Sequence, residues 1–216
     1  NQLSLSDLDI LILGSDMVKA HDFQTMAERF GGKMRLINSY GVTEATIDSS
    51  YYEMNMGEEY SGDSVPIGIP LPNVKLYVLS QTDQIQPIGI AGELCIGGAG
   101  VAKGYHGKFE LTEKKFTENP FVPGERLYRT GDMACWLPNG TLRLLGRIDH
   151  QVKINGYRIE TEEIESVLLQ TGLVNEAVVT VQSDTNGQAR LAAYILPSDA
   201  DTTVLRGALS KMLPAY

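Results

Sequence analysis

Short apolar runs and one helical stripe divide the N-terminal part of the chain. Residues 8–13 read Leu-Asp-Ile-Leu-Ile-Leu, an almost continuous apolar run that is typical of a buried strand in a covered sheet. Residues 34–37 predict a second short strand. Between them, residues 17–30 predict a helix whose apolar face is formed by Met17, Phe23, Met26, Ala27 and Phe30. Strand, helix and strand in this order predict an α/β layer with functional residues at the carboxyl ends of the strands.

From about Ser64 the pattern changes to short β-rich runs separated by Pro and Gly. These runs are Lys75–Leu79, Gly92–Ile96, Met133–Trp136 and Leu142–Leu145. Pro138-Asn139-Gly140 lies between the last two and indicates a hairpin, because Asn-Gly accepts the positive φ of a tight turn. We therefore expect the α/β layer to extend to about residue 63 and a β-rich subdomain to follow it.

A third pattern begins at residue 148. Alternating residues on both sides of Asn155-Gly156 predict another hairpin. A helical stripe then follows, formed by Ile164, Val167, Leu168 and Thr171. Strands at Ala177–Val181 and Leu191–Leu196 and a helix around Thr203–Met212 complete a small α+β unit. The pattern therefore predicts two domains, 1–147 and 148–216.

Composition and charge narrow the classes of partner. The 216 residues carry a net charge of -9 and 43% hydrophobic residues, and their mean hydropathy of -0.12 is typical of a soluble globular protein. An acidic surface repels nucleic-acid phosphates and anionic lipid, and no apolar run is long enough to span a bilayer. We expect neither nucleic acid nor membrane as a partner.

Cysteine usage and the first residue bear on compartment and context. Cys95 and Cys135 lie in apolar, strand-like segments and are expected to be buried free thiols, which fits a reducing cytoplasm. The sequence starts at Asn1 without Met and without a signal-peptide pattern, so we expect it to lie inside a larger protein.

Residues 38–44, Asn-Ser-Tyr-Gly-Val-Thr-Glu, follow a predicted strand and combine polar groups with a glycine. Gly41 would let a ligand approach the backbone, and Tyr40 offers an aromatic face to a nucleotide base. Thr43 offers a hydroxyl, and Glu44 offers a carboxylate that suits a hard cation such as Mg²⁺. An ordinary polar turn is the alternative interpretation of the same residues.

Three further segments are candidate sites. Residues 92–105 contain Gly-Gly-Ala-Gly, but no helix is predicted to open at that loop, so structural turns are favoured over a phosphate loop. In 128–132 an Asp after a Gly turn could accept hydrogen bonds from ribose hydroxyls, or could be a plain β-turn residue. Residues 146–154 suit a hinge between subdomains, or only a boundary salt bridge. No nucleophile motif accompanies the histidines, so none is expected to be catalytic: His21, His106 and His150.

The order and spacing of these segments resemble the adenylate-forming superfamily, and in detail the adenylation domains of nonribosomal peptide synthetases. The family pattern Asn-x-Tyr-Gly-Pro-Thr-Glu stands at 38–44, with Val42 in place of Pro. Further matches at family spacing are 92–105, Leu111-Thr112, Phe116, 128–132 and 146–165. The last of these is the most specific, and it departs from the family pattern at Asn155 and at Thr161-Glu162. The resemblance covers essentially the whole chain.

The resemblance implies an ATP-dependent ligase and part of the adenylate-forming fold. Such an enzyme makes an aminoacyl-adenylate and pyrophosphate from ATP and an amino acid, and then loads the aminoacyl group onto the phosphopantetheine thiol of a peptidyl carrier domain. Catalysis of this kind rests on positioning and on charge stabilisation at the α-phosphate. Residues 1–147 would be the C-terminal part of the large core, and 148–216 a small mobile domain, with neighbouring synthetase domains as partners.

Roles for individual residues carry over from the family position by position. Tyr40 would stack on adenine with Asn38 beside it. Thr43 would contact the α-phosphate of ATP or AMP, and Glu44 would bind Mg²⁺. The ribose hydroxyls would be bound by Asp132, with Arg147 nearby.

Other family positions concern domain rotation and the amino acid. Asp149 matches the hinge about which the small domain rotates, and Gly156 lies on the loop that reaches the pantetheine channel. Five residues match positions that line the side-chain pocket: Leu11, Leu13, Ser39, Ile47 and Asp48. Asp48 is the only charged residue among them, and a buried carboxylate must be paired. We therefore expect a substrate with a side-chain donor, such as ornithine, lysine or glutamine; the alternative is that Asp48 points away from the pocket or is held by donors of the protein itself.

Parts of the family's active site have no match in this sequence. The upstream phosphate loop with its Lys, the Asp that holds the substrate amino group, and the Lys beyond Leu-Pro-x-Tyr are absent, so the chain by itself is expected to be inactive. Two alternatives stay open: part of an acyl-CoA or aryl-acid ligase, and a non-catalytic module that binds a nucleotide weakly or docks a carrier domain.

Overall fold

The computed structural model describes residues 8–14, 17–30, 33–53, 64–149, 151–154, 157–183 and 189–214. The chain divides into two compact units, Asn1–Ile148 and Asp149–Tyr216. Each unit has its own hydrophobic core, so the two are described separately.

The first sheet of the N-terminal unit contains the strand in which the first candidate motif, residues 38–44, begins. Its four strands are β1 (Ile10–Leu13), β2 (Arg35–Tyr40), β3 (Ser50–Glu53) and β4 (Ile69–Pro70), in that order. β1 and β2 are parallel, and the remaining pairs are antiparallel. Helix α1 (Ala20–Phe30) connects the two parallel strands. The predicted strand–helix–strand layer is thus confirmed.

Three details of that layer differ from the sequence prediction. β1 is not buried on both faces: Leu11 and Leu13 pack beside the α1 core, whereas Ile10 and Ile12 are exposed. Its alternate side chains point to opposite faces, and α1 covers only one of them. Met17 precedes the helix instead of contributing to it. β2 continues to Tyr40, so Asn38, Ser39 and Tyr40 belong to the strand itself.

The second sheet of this unit is entirely antiparallel. It contains β5 (Val74–Leu79), β6 (Gly92–Gly98), β7 (Phe116–Glu118), β8 (Arg126–Trp136) and β9 (Leu142–Arg147). β8 is long enough to pair with β7 near its start and with β9 near its end, while β6 lies on its other side. The predicted hairpin at Asn139-Gly140 is confirmed, since Leu137 and Thr141 close it with an N–H···O bond of 2.8 Å.

A short helix, α2 (Phe109–Lys115), precedes β7 and was not predicted. None of its residues is buried, so the sequence carries no apolar stripe that would reveal it. It begins after the loop that follows the glycine-rich segment, which agrees with the inference that no helix opens at the glycines themselves.

One hydrophobic cluster joins the end of β2 to the second sheet. Tyr40 and Ala45 pack there with aliphatic residues of the sheet, namely Leu76, Val78, Leu94, Ile96, Ala134 and Leu142. Burying a side chain of this size contributes about 1.5–3 kcal/mol. The backbone adds two bonds of 2.8 Å between residues 67–68 and Leu142. The cluster therefore fixes the motif at 38–44 relative to β8 and β9.

The C-terminal unit has the α+β order that the sequence predicts. Its elements are β10 (Val152–Ile154), β11 (Tyr157–Ile159), α3 (Thr161–Gln170), β12 (Glu176–Ser183), β13 (Ala189–Leu196) and α4 (Thr202–Met212). Leu168, Val174, Val179 and Leu205 form its core. Asp201 caps α4 by accepting hydrogen bonds from the backbone amides of Thr203 and Val204. The Asn155-Gly156 turn lies outside the described residues.

Two global expectations can be compared with the structure. Cys95 and Cys135 are both buried free thiols, as predicted. Within the described residues, no helix is both long enough and apolar enough to cross a membrane.

Candidate active site

Tyr40, Asp132 and Arg147 form a buried network at the carboxyl end of β2. The Tyr40 hydroxyl donates to Asp132 Oδ2 at 2.5 Å, and Arg147 Nη1 donates to Asp132 Oδ1 at 2.6 Å. Tyr40 is 7% exposed and Asp132 is 8% exposed. Burial, followed by the nearby Asp132 charge, holds the pKa of Tyr40 well above its usual value, so the phenol remains a donor at neutral pH. The structure thus unites three residues assigned to the nucleotide side of the site.

One interpretation of the sequence made Asp132 a β-turn residue. In the structure it lies instead in a bulge within β8. Arg129 pairs with Cys95 and Met133 pairs with Glu93, so three residues of β8 stand opposite one residue of β6. Gly131 takes a φ of 76° in this bulge. Thr130 Oγ1 donates to the Leu94 carbonyl at 2.6 Å and accepts from the Asp132 amide at 2.9 Å. Bulges of this kind re-aim a side chain, here the Asp132 carboxylate.

Glu44 is also buried, and its partner comes from a distant part of the chain. Thr43–Ala45 form a short 3-10 helix, in which Thr43 is exposed and Glu44 is buried. The Tyr105 hydroxyl donates to Glu44 Oε1 at 2.6 Å and lies 3.2 Å from the Tyr128 hydroxyl. Burial and the bond to Glu44 raise the pKa of Tyr105. This contact holds the carboxylate that the family resemblance assigns to Mg²⁺.

Tyr105 is a site residue that the sequence reasoning did not single out. It lies at the end of the 92–105 motif, and only that membership could have drawn attention to it. Its backbone amide donates to Thr112 Oγ1 at 2.9 Å, which ties the loop to α2. The Phe116 ring packs against Tyr105 with centroids 5.3 Å apart. These contacts fix the phenol that reaches Glu44.

Two glycines allow the loop at 41–48 to pack closely. A Cβ on Gly41 would lie 1.7 Å from the Ile47 carbonyl oxygen, and one on Gly100 would lie 2.8 Å from the Ala45 oxygen. Thr46 and Ile47 both take left-handed φ values, 63° and 69°, which are uncommon for such residues. The Ala102 amide donates to the Glu44 carbonyl at 2.9 Å. The glycine-rich segment therefore supports the 3-10 helix through its backbone.

Asn38, which the family resemblance places beside the adenine, is buried and hydrogen-bonded to the protein. Its Nδ2 donates to the Pro66 carbonyl at 2.8 Å, and the residue is 2% exposed. This bond holds β2 against the segment before β4. Asn38 shares a strand face with Tyr40, because alternate residues of a strand point the same way.

The five pocket positions are not equivalent in the structure. Leu11 and Leu13 pack against the core that includes Phe23, whereas Ile47 and Asp48 are exposed. Ser39 Oγ donates a hydrogen bond to the Leu13 carbonyl at 3.4 Å. Asp48, which the substrate argument treats as a buried carboxylate, is exposed in the structure and follows two residues with left-handed φ, Thr46 and Ile47.

The positions assigned to the hinge and to the pantetheine channel belong to the C-terminal unit. The Asp149 side chain accepts from the Gln151 amide at 3.3 Å. Gly156 and His150 lie outside the described residues. Across the residues that the structure describes, no group of three His, Cys, Asp or Glu side chains could hold a metal ion.

Comparison with protein families and curated proteins identifies what this arrangement is similar to. Residues 1–106 match the family model described as "AMP-binding enzyme". The chain is 79% identical over 216 residues to a plipastatin synthase of Bacillus subtilis (strain 168). The match covers 100% of this chain and 8% of that protein, so the chain spans a small part of the relative's length.

Solved structures agree over nearly the whole chain. An artificially fused adenylation–PCP di-domain nonribosomal peptide synthetase from Klebsiella oxytoca, NpsA-ThdA, is 32% identical with a TM-score of 0.77, and covers 96% of this chain and 41% of that one. The Vibrio cholerae adenylation domain AlmE, solved with glycyl-adenosine-5'-phosphate, is 26% identical with a TM-score of 0.84. That match covers 98% of this chain and 40% of AlmE.

Proposed function

We propose that the chain supplies the nucleoside side of a site that activates amino acids for nonribosomal peptide synthesis, because residues 1–106 match the AMP-binding enzyme family and the chain is similar to part of an adenylation-domain fold. The reaction joins an amino-acid carboxylate to the α-phosphate of ATP and releases pyrophosphate. The aminoacyl group then passes to the phosphopantetheine thiol of a carrier domain. The observation that carries the proposal is the buried network of Tyr40, Asp132 and Arg147.

Asp132 is the proposed ribose-binding residue. Its two oxygens each accept one hydrogen bond within the protein, from Tyr40 and Arg147. A carboxylate has about four acceptor sites, so two remain for the ribose hydroxyls. The two protein donors hold the carboxylate in one orientation before the nucleotide arrives, which lowers the entropic cost of binding. Tyr40 orients Asp132 through its hydroxyl, and the family pattern supports stacking of its ring on adenine.

Thr43 and Glu44 are proposed to serve the phosphate and metal side. Thr43 is exposed, and its hydroxyl is therefore accessible to an α-phosphate oxygen. Glu44 is a carboxylate fixed by the Tyr105 hydroxyl, and Mg²⁺ is commonly held by one or two carboxylates together with substrate phosphates. When bound, Mg²⁺ would neutralise phosphate charge. The chain's own part is to position these groups.

The amino acid and the carrier domain are the less constrained parts of the proposal. Family spacing supports Leu11, Leu13, Ser39, Ile47 and Asp48 as pocket positions, and ornithine, lysine or glutamine as the substrate. Because Asp48 is exposed in the structure, its part in the pocket rests on the family pattern alone. Asp149 as the hinge and Gly156 on the pantetheine-channel loop also rest on the family pattern.

ATP–pyrophosphate exchange by a whole adenylation domain that contains this chain tests the proposal. We expect exchange that depends on ornithine, lysine or glutamine, and loss of most of it in Asp132→Asn. Exchange only with valine, leucine or phenylalanine would overturn the substrate assignment. Thioester formation from CoA and a carboxylic acid without amino-acid-dependent exchange would favour the acyl-CoA or aryl-acid ligase instead.

The chain by itself provides a second test. We expect no exchange activity, because the phosphate loop and the terminal lysine of the family are missing from it. Calorimetry with AMP should still detect weak binding that Asp132→Asn abolishes. Equal AMP binding by both forms would contradict the assignment of Asp132, and measurable exchange by the chain would contradict the stated division of the site.

A further inference from the structure

The bulge that aims Asp132 is tied by a carboxylate from the neighbouring strand. Glu93 Oε1 accepts a hydrogen bond from the Gly131 amide at 3.1 Å. Its other oxygen, Oε2, accepts from Arg129, with Nε at 3.0 Å and Nη2 at 2.7 Å. We propose that Glu93 is a positioning residue for nucleotide binding, which acts by holding the β8 bulge so that Asp132 faces the ribose.

The contacts of Glu93 with Gly131 and Arg129, called the tie below, lie where the regular ladder between β6 and β8 is interrupted. β8 has three residues between the pairs Arg129–Cys95 and Met133–Glu93, against one residue on β6. The extra residues need partners other than the ladder, because a buried amide without an acceptor costs about 1–3 kcal/mol. The Gly131 amide donates to Glu93 Oε1, and the Asp132 amide donates to Thr130 Oγ1.

Glu93 is well placed for such a role because it is held on both oxygens. Its side chain is 14% exposed and that of Arg129 is 21% exposed, so the pair is shielded from solvent. Asp83, which is 54% exposed, binds Arg129 Nη1 at 2.6 Å from the outer side. Charge-assisted bonds with fixed geometry of this kind are stronger than neutral ones. The bulge is thereby anchored from β6.

A shift of the bulge reaches the ribose site directly. Gly131 is bonded to Asp132, and the Asp132 carboxylate makes its two protein contacts at 2.5 and 2.6 Å. Arg147 also donates to the Thr130 carbonyl at 3.2 Å, so it contacts the same bulge. A misplacement of about 1 Å in a positioned group is enough to cost a large factor in rate. Loss of the tie is expected to weaken recognition of the ribose hydroxyls specifically.

The inference rests on the proposed function, and the test separates the two. Exchange kinetics of a whole adenylation domain containing this chain are measured with ATP and with 2′,3′-dideoxy-ATP. The discrimination is the ratio of their kcat/KM values. Asp132→Asn is the reference variant, and Asp83→Asn is the matched control, because it removes an exposed partner of Arg129 without touching the bulge.

Two variants of the tie are compared with these references. Glu93→Met combined with Arg129→Met removes both charges together, so no guanidinium is left unpaired. Glu93→Gln keeps the shape but offers one acceptor to two sets of donors. We expect the discrimination to fall about 10-fold in the double variant and less in Glu93→Gln, mainly through a higher KM for ATP, which corresponds to about one hydrogen bond. Asp83→Asn should keep the wild-type ratio.

The outcomes are distinguishable. If Asp132→Asn leaves the discrimination unchanged, the proposed function fails at the ribose site. If Asp132→Asn lowers it but the folded double variant keeps the wild-type ratio, only the role of Glu93 is overturned. A purely structural role would lower the rates with both nucleotides equally. Far-UV circular dichroism of each whole-domain variant, followed through urea denaturation, reports whether it is folded. If the double variant does not fold, Glu93→Gln decides the question: a wild-type ratio of kcat/KM for the two nucleotides overturns the role of Glu93.

Discussion

Removal of the Tyr40 hydroxyl isolates one contact of the site with little change in shape. In Tyr40→Phe the ring still packs with Ala45 and the second sheet, but Asp132 Oδ2 loses its donor at 2.5 Å. Asp132 is 8% exposed, so water replaces that donor poorly. A hydrogen bond to a charged group contributes about 1.5–3 kcal/mol, and we expect the free energy of unfolding of the N-terminal unit to fall by about that amount.

Urea denaturation followed by Trp136 fluorescence measures the effect, because Trp136 lies at the end of β8, the strand that also carries Asp132. With a slope of about 2 kcal/mol per molar urea, the midpoint should fall by about 1 M. Tyr77→Phe is the matched control: its hydroxyl accepts only a 3.4 Å bond from Asn119, and its loss should cost less than about 1 kcal/mol.

A double-mutant cycle with Asp132→Asn completes the experiment. If the Tyr40 hydroxyl stabilises the charged Asp132 carboxylate, Tyr40→Phe should lower the free energy of unfolding much less in the Asp132→Asn background, because the acceptor there is no longer charged. Equal midpoints for Tyr40→Phe and the Tyr77→Phe control, or strict additivity in the cycle, would refute the reasoning.

Three further predictions concern close packing, helix propensity and pH. Gly41→Ala should destabilise the N-terminal unit by about 3 kcal/mol, since its Cβ would lie 1.7 Å from the Ile47 oxygen; an unchanged urea midpoint would contradict that packing. Gly207→Ala, in α4 with nothing within 4 Å of the new Cβ, should instead stabilise the C-terminal unit by about 0.5–1 kcal/mol in amide exchange. Burial, followed by the Glu93 charge, raises the pKa of Cys95 from 9.0 to about 12, so its contribution to stability is complete below pH 9.0 and is lost between there and about pH 12. Cys95→Ala should flatten the fall in stability over that range, by up to about 1.4 kcal/mol per pH unit, and an identical pH profile in the variant would count against it.

Much of the fold could be predicted from local sequence patterns. The apolar stripe of α1, the Asn139-Gly140 hairpin and the order of elements after residue 148 each depend on residues close together in sequence, and each is confirmed. The helix α2 was missed because none of its residues is buried. The burial of β1 was overestimated, since a continuous apolar run does not reveal that only one face of the strand is covered.

Motif spacing also indicated the family that the chain resembles, because backbone approaches such as that at Gly41 admit few residue types. What spacing leaves open is which side chains meet. Tyr40 and Asp132 are 92 residues apart in sequence, and Glu44 and Tyr105 are 61 apart. Their contacts depend on how two sheets pack and on the register of β8. Residue type and spacing indicate which residues belong to the site, but they do not indicate which of them contact each other.

The β8 bulge shows the division most clearly. The sequence by itself determined that Thr130, Gly131 and Asp132 form a polar, glycine-containing segment suited to a ribose. Only the tertiary structure decided that this segment is a bulge within a strand instead of a turn, with Glu93 across the sheet as the acceptor for Gly131. The physical reason is that a bulge is a mismatch between two strands, so it is a property of their pairing and of neither sequence alone.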